Sequence, residues 1–423
     1  MPHLFITGGY SASDGAGVYM QYGAVRNCTF SNNTTVGSGG GLCFAGATGI
    51  VQSCTFVANK AYNGGGGMYF TGSTTLVDQC RFLTNIARVG GGFCAGGSNL
   101  IVTNCEFIGN VATNRTDPAA GEGHAGGGVY SFCQGKFTHC SIISNMAPNG
   151  MGGGISLTAG LFTNCFISNN VALAGGGGIS GGSSSGIRNC VIARNRITTF
   201  VQMDCSGGGV LINSGVMQNC LVEGNRNDIN ANNTAGGGVA IYGGTLRNCL
   251  IRDNVAYWGA GIYSRFGTVS CCTIVSNYAR SNPGGGGLYG NASYTYGGTF
   301  FDNCLIYSNK NPSASPSSDN YLIINSSNFN FYVFSNCCVT PAIVNSGRTY
   351  ATNTVTADPR FVDGSVANYR LTRDSPCVNA GVNFAWMAGT YDLDGYSRMD
   401  KFGGRVDIGC FERTPAGIMI TIP

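Results

Sequence analysis

Few residues of this 423-residue chain could do chemistry, and most of them stand apart from one another. Proton transfer or metal binding would fall to 19 carboxylates and 3 histidines. Glycoside hydrolysis needs two carboxyl groups flanking one bond, and a calcium site needs several oxygens in one place. Asp78, Glu106, Glu223, Asp253 and Asp302 occupy non-equivalent positions and supply neither. Glu122 and His124 are close in sequence, with Asp117 nearby, and a neighbouring segment holding Asp204 or Asp228 could complete a site. Asp392 and Asp394 in YDLDGYSR alternate before a glycine. That pattern serves either calcium or a turn closed by carboxylate-to-backbone bonds. The 20 cysteines suggest metal or disulfides, but of His3, His124 and His139 only the last adjoins a recurring cysteine, so a structural zinc is not expected.

What must position these residues is a repeat. Eleven cysteines, from Cys28 and Cys54 to Cys272 and Cys304, recur mostly every 25 or 26 residues. Five residues after each stands an asparagine: Asn33, Asn59, Asn85, Asn110, Asn145, Asn170, Asn195, Asn225, Asn254, Asn277 and Asn309. Two residues after each cysteine is an apolar side chain, Phe30, Phe56, Phe82 and Phe107 first, then Ile or Val. Most of the cysteines also follow a glycine run, as Cys80 follows Gly64–Gly67.

Such a unit is too short to bury its own apolar face, and stacking identical units buries a continuous column. The period, the alternation and the lack of helical spacing predict an all-β, single-stranded parallel β-helix of about 11–12 rungs. Rungs spaced by about 4.8 Å make a rod roughly 55 Å long. The glycines turn the chain into the first strand, and Cys80 and Phe82 point inward from the third. The asparagines line one turn as a hydrogen-bonded ladder. Stacked cysteines in register point the same way, which is poor geometry for bridging them, so buried free thiols are expected. Inserts Val111–Ala125, Arg196–Ser206, Arg226–Ala235 and Tyr278–Pro283 fall at one corner, which is either a binding edge or tolerated surface drift.

The outward row after each glycine run reads Tyr19, Cys43, Tyr69, Cys94, Tyr130 and onward to Tyr263 and Tyr289, with Tyr242 in the next row. Neither row carries a carboxylate, so this face does not fit a paired-acid hydrolase. Tyr19, Tyr69, Tyr130, Tyr242, Tyr263 and Tyr289 are the binding candidates, because aromatic rings at rung spacing can stack on sugars. They can equally stack on one another to steady an open sheet.

Bulk composition agrees. Glycine is 69 residues, charged residues are 10% and hydrophobic residues 43%. Net charge is +4 with no basic run, which argues against nucleic acid. No apolar stretch reaches the length of a membrane span. The start, MPHLFITGGYSASDG, lacks the basic and apolar segments of a signal peptide and reads as mid-pattern, so a domain of a longer chain is expected.

The GGGI/GGGL/GGGV runs paired with FxxN (Phe30–Asn33, Phe56–Asn59, Phe82–Asn85, Phe107–Asn110) resemble the repeats of polymorphic outer-membrane protein adhesins over about residues 15–310. That resemblance implies a right-handed β-helix of the pectate-lyase-like solenoid type on a bacterial cell surface. A second stretch, about 315–412, carries FSNCCVTP, ADPRFVD, YRLTRDSPCVNAG, DLDGYSR and VDIGCFE. It is similar to the choice-of-anchor-type tail of secreted bacterial β-helix proteins and implies closing rungs and a β-rich cap in an extracellular setting. The expected division is residues 1–345 for the solenoid and 346–423 for closing rungs and cap. Cys377 and Cys410 sit in the tail's two most distinctive motifs and are candidates for a disulfide with each other.

The expected function is a non-catalytic extracellular or surface protein, adhesin-like, that binds a polysaccharide or cell-surface glycan without a cofactor, calcium at Asp392 and Asp394 being the one metal left open. A polysaccharide lyase or glycoside hydrolase is the alternative, since β-helices host both. A structural spacer or filament segment, self-associating end to end through open β-edges, is the third.

Overall fold

In the computed structural model, the described residues are 3–113, 125–198, 207–229, 235–291, 297–312, 318–324, 330–345, 347–399 and 404–413. The chain is a right-handed parallel β-solenoid, with almost no helix among the described residues. One rung shows how the sequence builds it. Met68–Phe70 and Thr74–Asp78 are its first two strands, Arg81–Leu83 its third and Ile86–Ala87 a short fourth. Each pairs in parallel register with its equivalent on the next rung, for example Arg81, Phe82 and Leu83 with Glu106, Phe107 and Ile108. Among the described residues, first and second strands merge into a 21-stranded sheet, third strands make a 13-stranded sheet and fourth strands an 11-stranded one.

The glycine run has two jobs. Gly65 takes the left-handed conformation, φ +64°, where a side chain is strained. Gly66 and Gly67 lie on the next rung's backbone: a Cβ would meet the carbonyl of Gly91 at 2.5 Å and that of Gly92 at 2.7 Å.

The residues beside the ladders matter as much. The residue before each repeated cysteine is left-handed, including Asn27, Gln79, Asn104, His139, Asn164, Asn189, Asn219 and Asn248, with φ between 52° and 54°. Asparagine tolerates that region better than other side-chain-bearing residues, which accounts for the recurrent Asn-Cys step.

Inside, the asparagine ladder is continuous. Asn85 donates from its backbone N–H and its Nδ2 to Asn110 Oδ1, each at 3.0 Å, and from Nδ2 to the Phe56 carbonyl at 2.9 Å. The same bonds recur to Asn309, which donates to Asn320 Oδ1. Phe30, Phe56, Phe82 and Phe107 stack with centroids 4.7–4.8 Å apart. The repeated cysteines are buried and free, their Sγ–H groups donating to carbonyls two residues back, as Cys105 does to Thr103 at 3.1 Å.

The solenoid closes with Thr349–Thr352, paired to Asn330–Ser335, and with a bridge from Cys338 to Val355. The cap that follows packs on the flank of the rod. Tyr369, Leu371, Cys377, Ile408, Cys410 and Phe411 cover Leu250, Val275, Leu305 and Cys338 on the outer face of the 13-stranded sheet. Asn303 receives the Val382 N–H at 2.9 Å and donates to the Val382 carbonyl at 2.8 Å. Buried Arg398 joins Asn248 to Glu412.

Cys377 and Cys410 do not bridge; both are free, buried thiols. Cys377 lies against Cys338, whereas the Cys410 N–H donates to Thr273 Oγ1 at 3.0 Å. They hold different parts of the same apolar seam. Asp392 and Asp394 have different protein partners. Asp392 Oδ1 accepts the N–H groups of Asp394 and Tyr396, and Oδ2 accepts that of Glu412. Asp394 pairs with Arg370. The alternating acids close a turn.

Candidate functional site: an aromatic belt on the outer face

The tyrosines do not form one exposed row. Tyr19 is 51% exposed, at the first rung. Tyr69 is wedged between Cys43 and Cys94, both buried although they point outward from the sheet. Burial pushes the Cys43 thiol up to about 12 and the Tyr69 phenol up as well. Tyr130 packs on Phe132 at 5.7 Å. Tyr263 and Tyr289 are buried, at 6% and 3% exposure, which overturns the reading of both as open stacking surfaces. The sequence row did not show that Trp258 and Leu322 would pack over them.

The structure brings together Tyr242, Tyr263 and Tyr289 with two rings that the repeat rows did not contain, Tyr257 and Trp258. Tyr257 meets Trp258 edge-on at 5.1 Å, and Trp258 stacks on Tyr289 at 5.3 Å with 20° between planes. Tyr289 stacks on Tyr263 at 5.8 Å, and Tyr263 meets Tyr242 edge-on at 5.8 Å. Arg265 lies over the Tyr242 ring, 4.3 Å from its centroid, and its Nε donates to the Tyr263 hydroxyl at 3.2 Å. The belt thus crosses consecutive rungs with buried rings in the middle and partly exposed Tyr257, Trp258 and Tyr242 around them. Offset and edge-on contacts at these spacings hold the rings rigid, so the outer ones are preorganised.

At the Tyr257 end the belt meets the corner where the inserts leave. Asp228, Tyr257 and Arg280 occupy equivalent places on three successive rungs. Asp228 accepts from Arg226 Nε and Nη2, both at 3.1 Å, and pairs with Arg196. Arg280 Nη2 donates to the Asn227 carbonyl at 2.7 Å.

Acids elsewhere on the described rod are engaged in hydrogen bonds and ion pairs. Asp78 accepts from Gln52 and Asn104, Glu106 pairs with Arg81, and Glu223 and Asp253 share Arg252. Burial pushes Asp253 and Asp302 up from the usual carboxyl range. Among the described residues no group of three His, Cys, Asp or Glu side chains could hold a metal ion. Asp117, Glu122, His124 and Asp204 lie outside the described residues.

A family comparison agrees with the solenoid over part of the chain. Residues 10–172 match a family model described as a right handed beta helix region. The crystal structure of pectate lyase Pel9A is similar with a TM-score of 0.45 and 14% identity, over 88% of each chain. No curated protein matches the sequence.

Proposed function

We propose that this chain is a non-catalytic, adhesin-like rod that binds glycans outside the cell or at its surface. The observation that carries the reading is the aromatic belt from Tyr257 to Tyr242, with its partly exposed outer rings held by buried ones. Flat apolar sugar faces can stack on such rings, and rings held in place beforehand lose less freedom on binding. The carboxylates of the described rod sit in ion pairs and turns rather than across a cleft, which favours binding over hydrolysis.

A carbohydrate-active enzyme is the second reading, kept by Glu122 and His124, two residues apart in the sequence of one insert. One experiment separates the two. The chain is incubated with a panel of plant, algal and host polysaccharides, with and without calcium, following new reducing ends and the absorbance of unsaturated products. Retention of a glycan without cleavage, weakened by Trp258→Ala and Tyr242→Ala, is the expected result. Cleavage of any member overturns it.

A further inference from the structure

We infer that the glycan bound at this corner is acidic, with carboxylate groups read by Arg196, Arg226, Arg280 and Lys310; this rests on the glycan-binding reading above. The four cations gather on one edge. Arg196 and Arg226 are in-register partners on adjacent rungs of the 11-stranded sheet. The same outward row continues through Val255 and Tyr278 to Lys310. Arg280 stands two residues after Tyr278, beside Tyr257. Among the described residues, two carboxylates lie near these four: Asp228, whose side chain is only 12% exposed, and Asp319, which accepts the Asn311 N–H at 3.0 Å beside Lys310.

Asp228 fixes the cations rather than cancelling them. It engages Arg196 through Nε and Arg226 through Nε and Nη2, and the two side chains remain 54% and 53% exposed. Arg280 Nε is buried with no hydrogen-bond partner, a donor whose desolvation is uncompensated. Arg280 is also held below its usual range, first by burial. A planar carboxylate matches the guanidinium fork with two parallel bonds, which a hydroxyl cannot do. The aromatic belt begins at Tyr257 on this same edge, so one chain of sugars can meet rings and cations together. A neutral glycan would use the rings and leave the cations idle.

The test uses the whole chain with hyaluronan, which carries a carboxylate on every second sugar, and with its methyl ester, which carries none. Hyaluronan is expected to be retained, with loss of at least about tenfold in affinity on esterification, on raising salt, and in Arg196→Gln/Arg226→Gln. Circular dichroism and the unfolding midpoint confirm that the double variant folds. Equal retention of acid and ester overturns the charge reading and leaves the binding rod standing. Tighter retention of an oligothymidylate than of hyaluronan overturns it in favour of a nucleic-acid surface. Retention of neither form overturns it also, and the wider polysaccharide panel then judges the rod reading separately.

Discussion

Arg398 Nη1 donates to Asn248 Oδ1 at 3.0 Å, across 150 residues of sequence. Asn248 is one of the left-handed turn residues, and it also donates to the Tyr391 carbonyl at 3.0 Å. Arg398 continues to the Gly409 carbonyl and to Glu412, at 3.0 and 3.1 Å. A single fully buried guanidinium therefore fastens the cap to the rod.

Arg398→Met is expected to cost about 3–5 kcal/mol, because it leaves Glu412 and the Asn248 and Gly409 oxygens buried without the guanidinium that bonds them. Urea unfolding, together with hydrogen exchange over residues 377–412, measures it. An unchanged midpoint with unchanged exchange would refute the clasp.

The clasp should also respond to pH. Glu412 is pushed up to about 8, first by burial, with the Asp407 and Asp392 charges adding to it and Arg398 opposing. A carboxyl raised in the folded state stabilises the fold fully below its ordinary value of about 4.5 and loses that contribution as pH rises through about 8. Between about pH 4.5 and 8 the docked cap should therefore weaken, and Glu412→Gln should flatten the profile. Asp392 and Asp407, also raised by burial, act in the same direction. A cap whose exchange slows as pH rises, after correction for intrinsic rates, would contradict this.

Asn145→Ala, in mid-ladder, removes the acceptor of two Asn110 donors and the donor to the Phe107 carbonyl. A loss of about 2–4 kcal/mol is expected from these buried orphans. Thr84 is the counterpart: exposed, β-branched and left-handed at φ 52°. Thr84→Asn should gain about 0.5–1 kcal/mol, since asparagine occupies that region at lower cost. Denaturation midpoints of both variants decide, and the opposite sign for either would show that the turn geometry is misread.

The 19 thiols described as free and buried should be silent to a thiol reagent until the chain unfolds. Prompt labelling of Cys43 or Cys410 in native protein, both pushed up to about 12 by burial, would mean the covering layer opens readily.

The rod was legible because its signal is repeated. Asn85, Cys80, Phe82 and the glycines before them occur at one spacing, and each has one inward or turn role in every rung. The belt was legible only in part. Tyr242, Tyr263 and Tyr289 fall in the outward rows after the glycine runs, but Tyr257 and Trp258 follow the short fourth strand, outside those two rows. Their contact with Tyr289 depends on how the corner folds over the sheet. The cap's position is written in the outer face of the third strands. The outward residue after the repeated cysteines is polar from Thr29 to Ser141 and apolar from Phe166 to Leu305, apart from Thr273. An outer face that turns apolar must be covered, and the cap covers it.

That lateral cover makes the rod mechanically uneven. Rungs joined by stacked side chains and parallel hydrogen bonds carry an axial pull in series, so the weakest junction yields first. Where Arg398, Asn303 and the seam around Leu305 tie several rungs to one strap, the load is shared. Tension between the two ends would peel the bare N-terminal rungs and leave the strapped half standing, so that half is the anchor and the other the fuse.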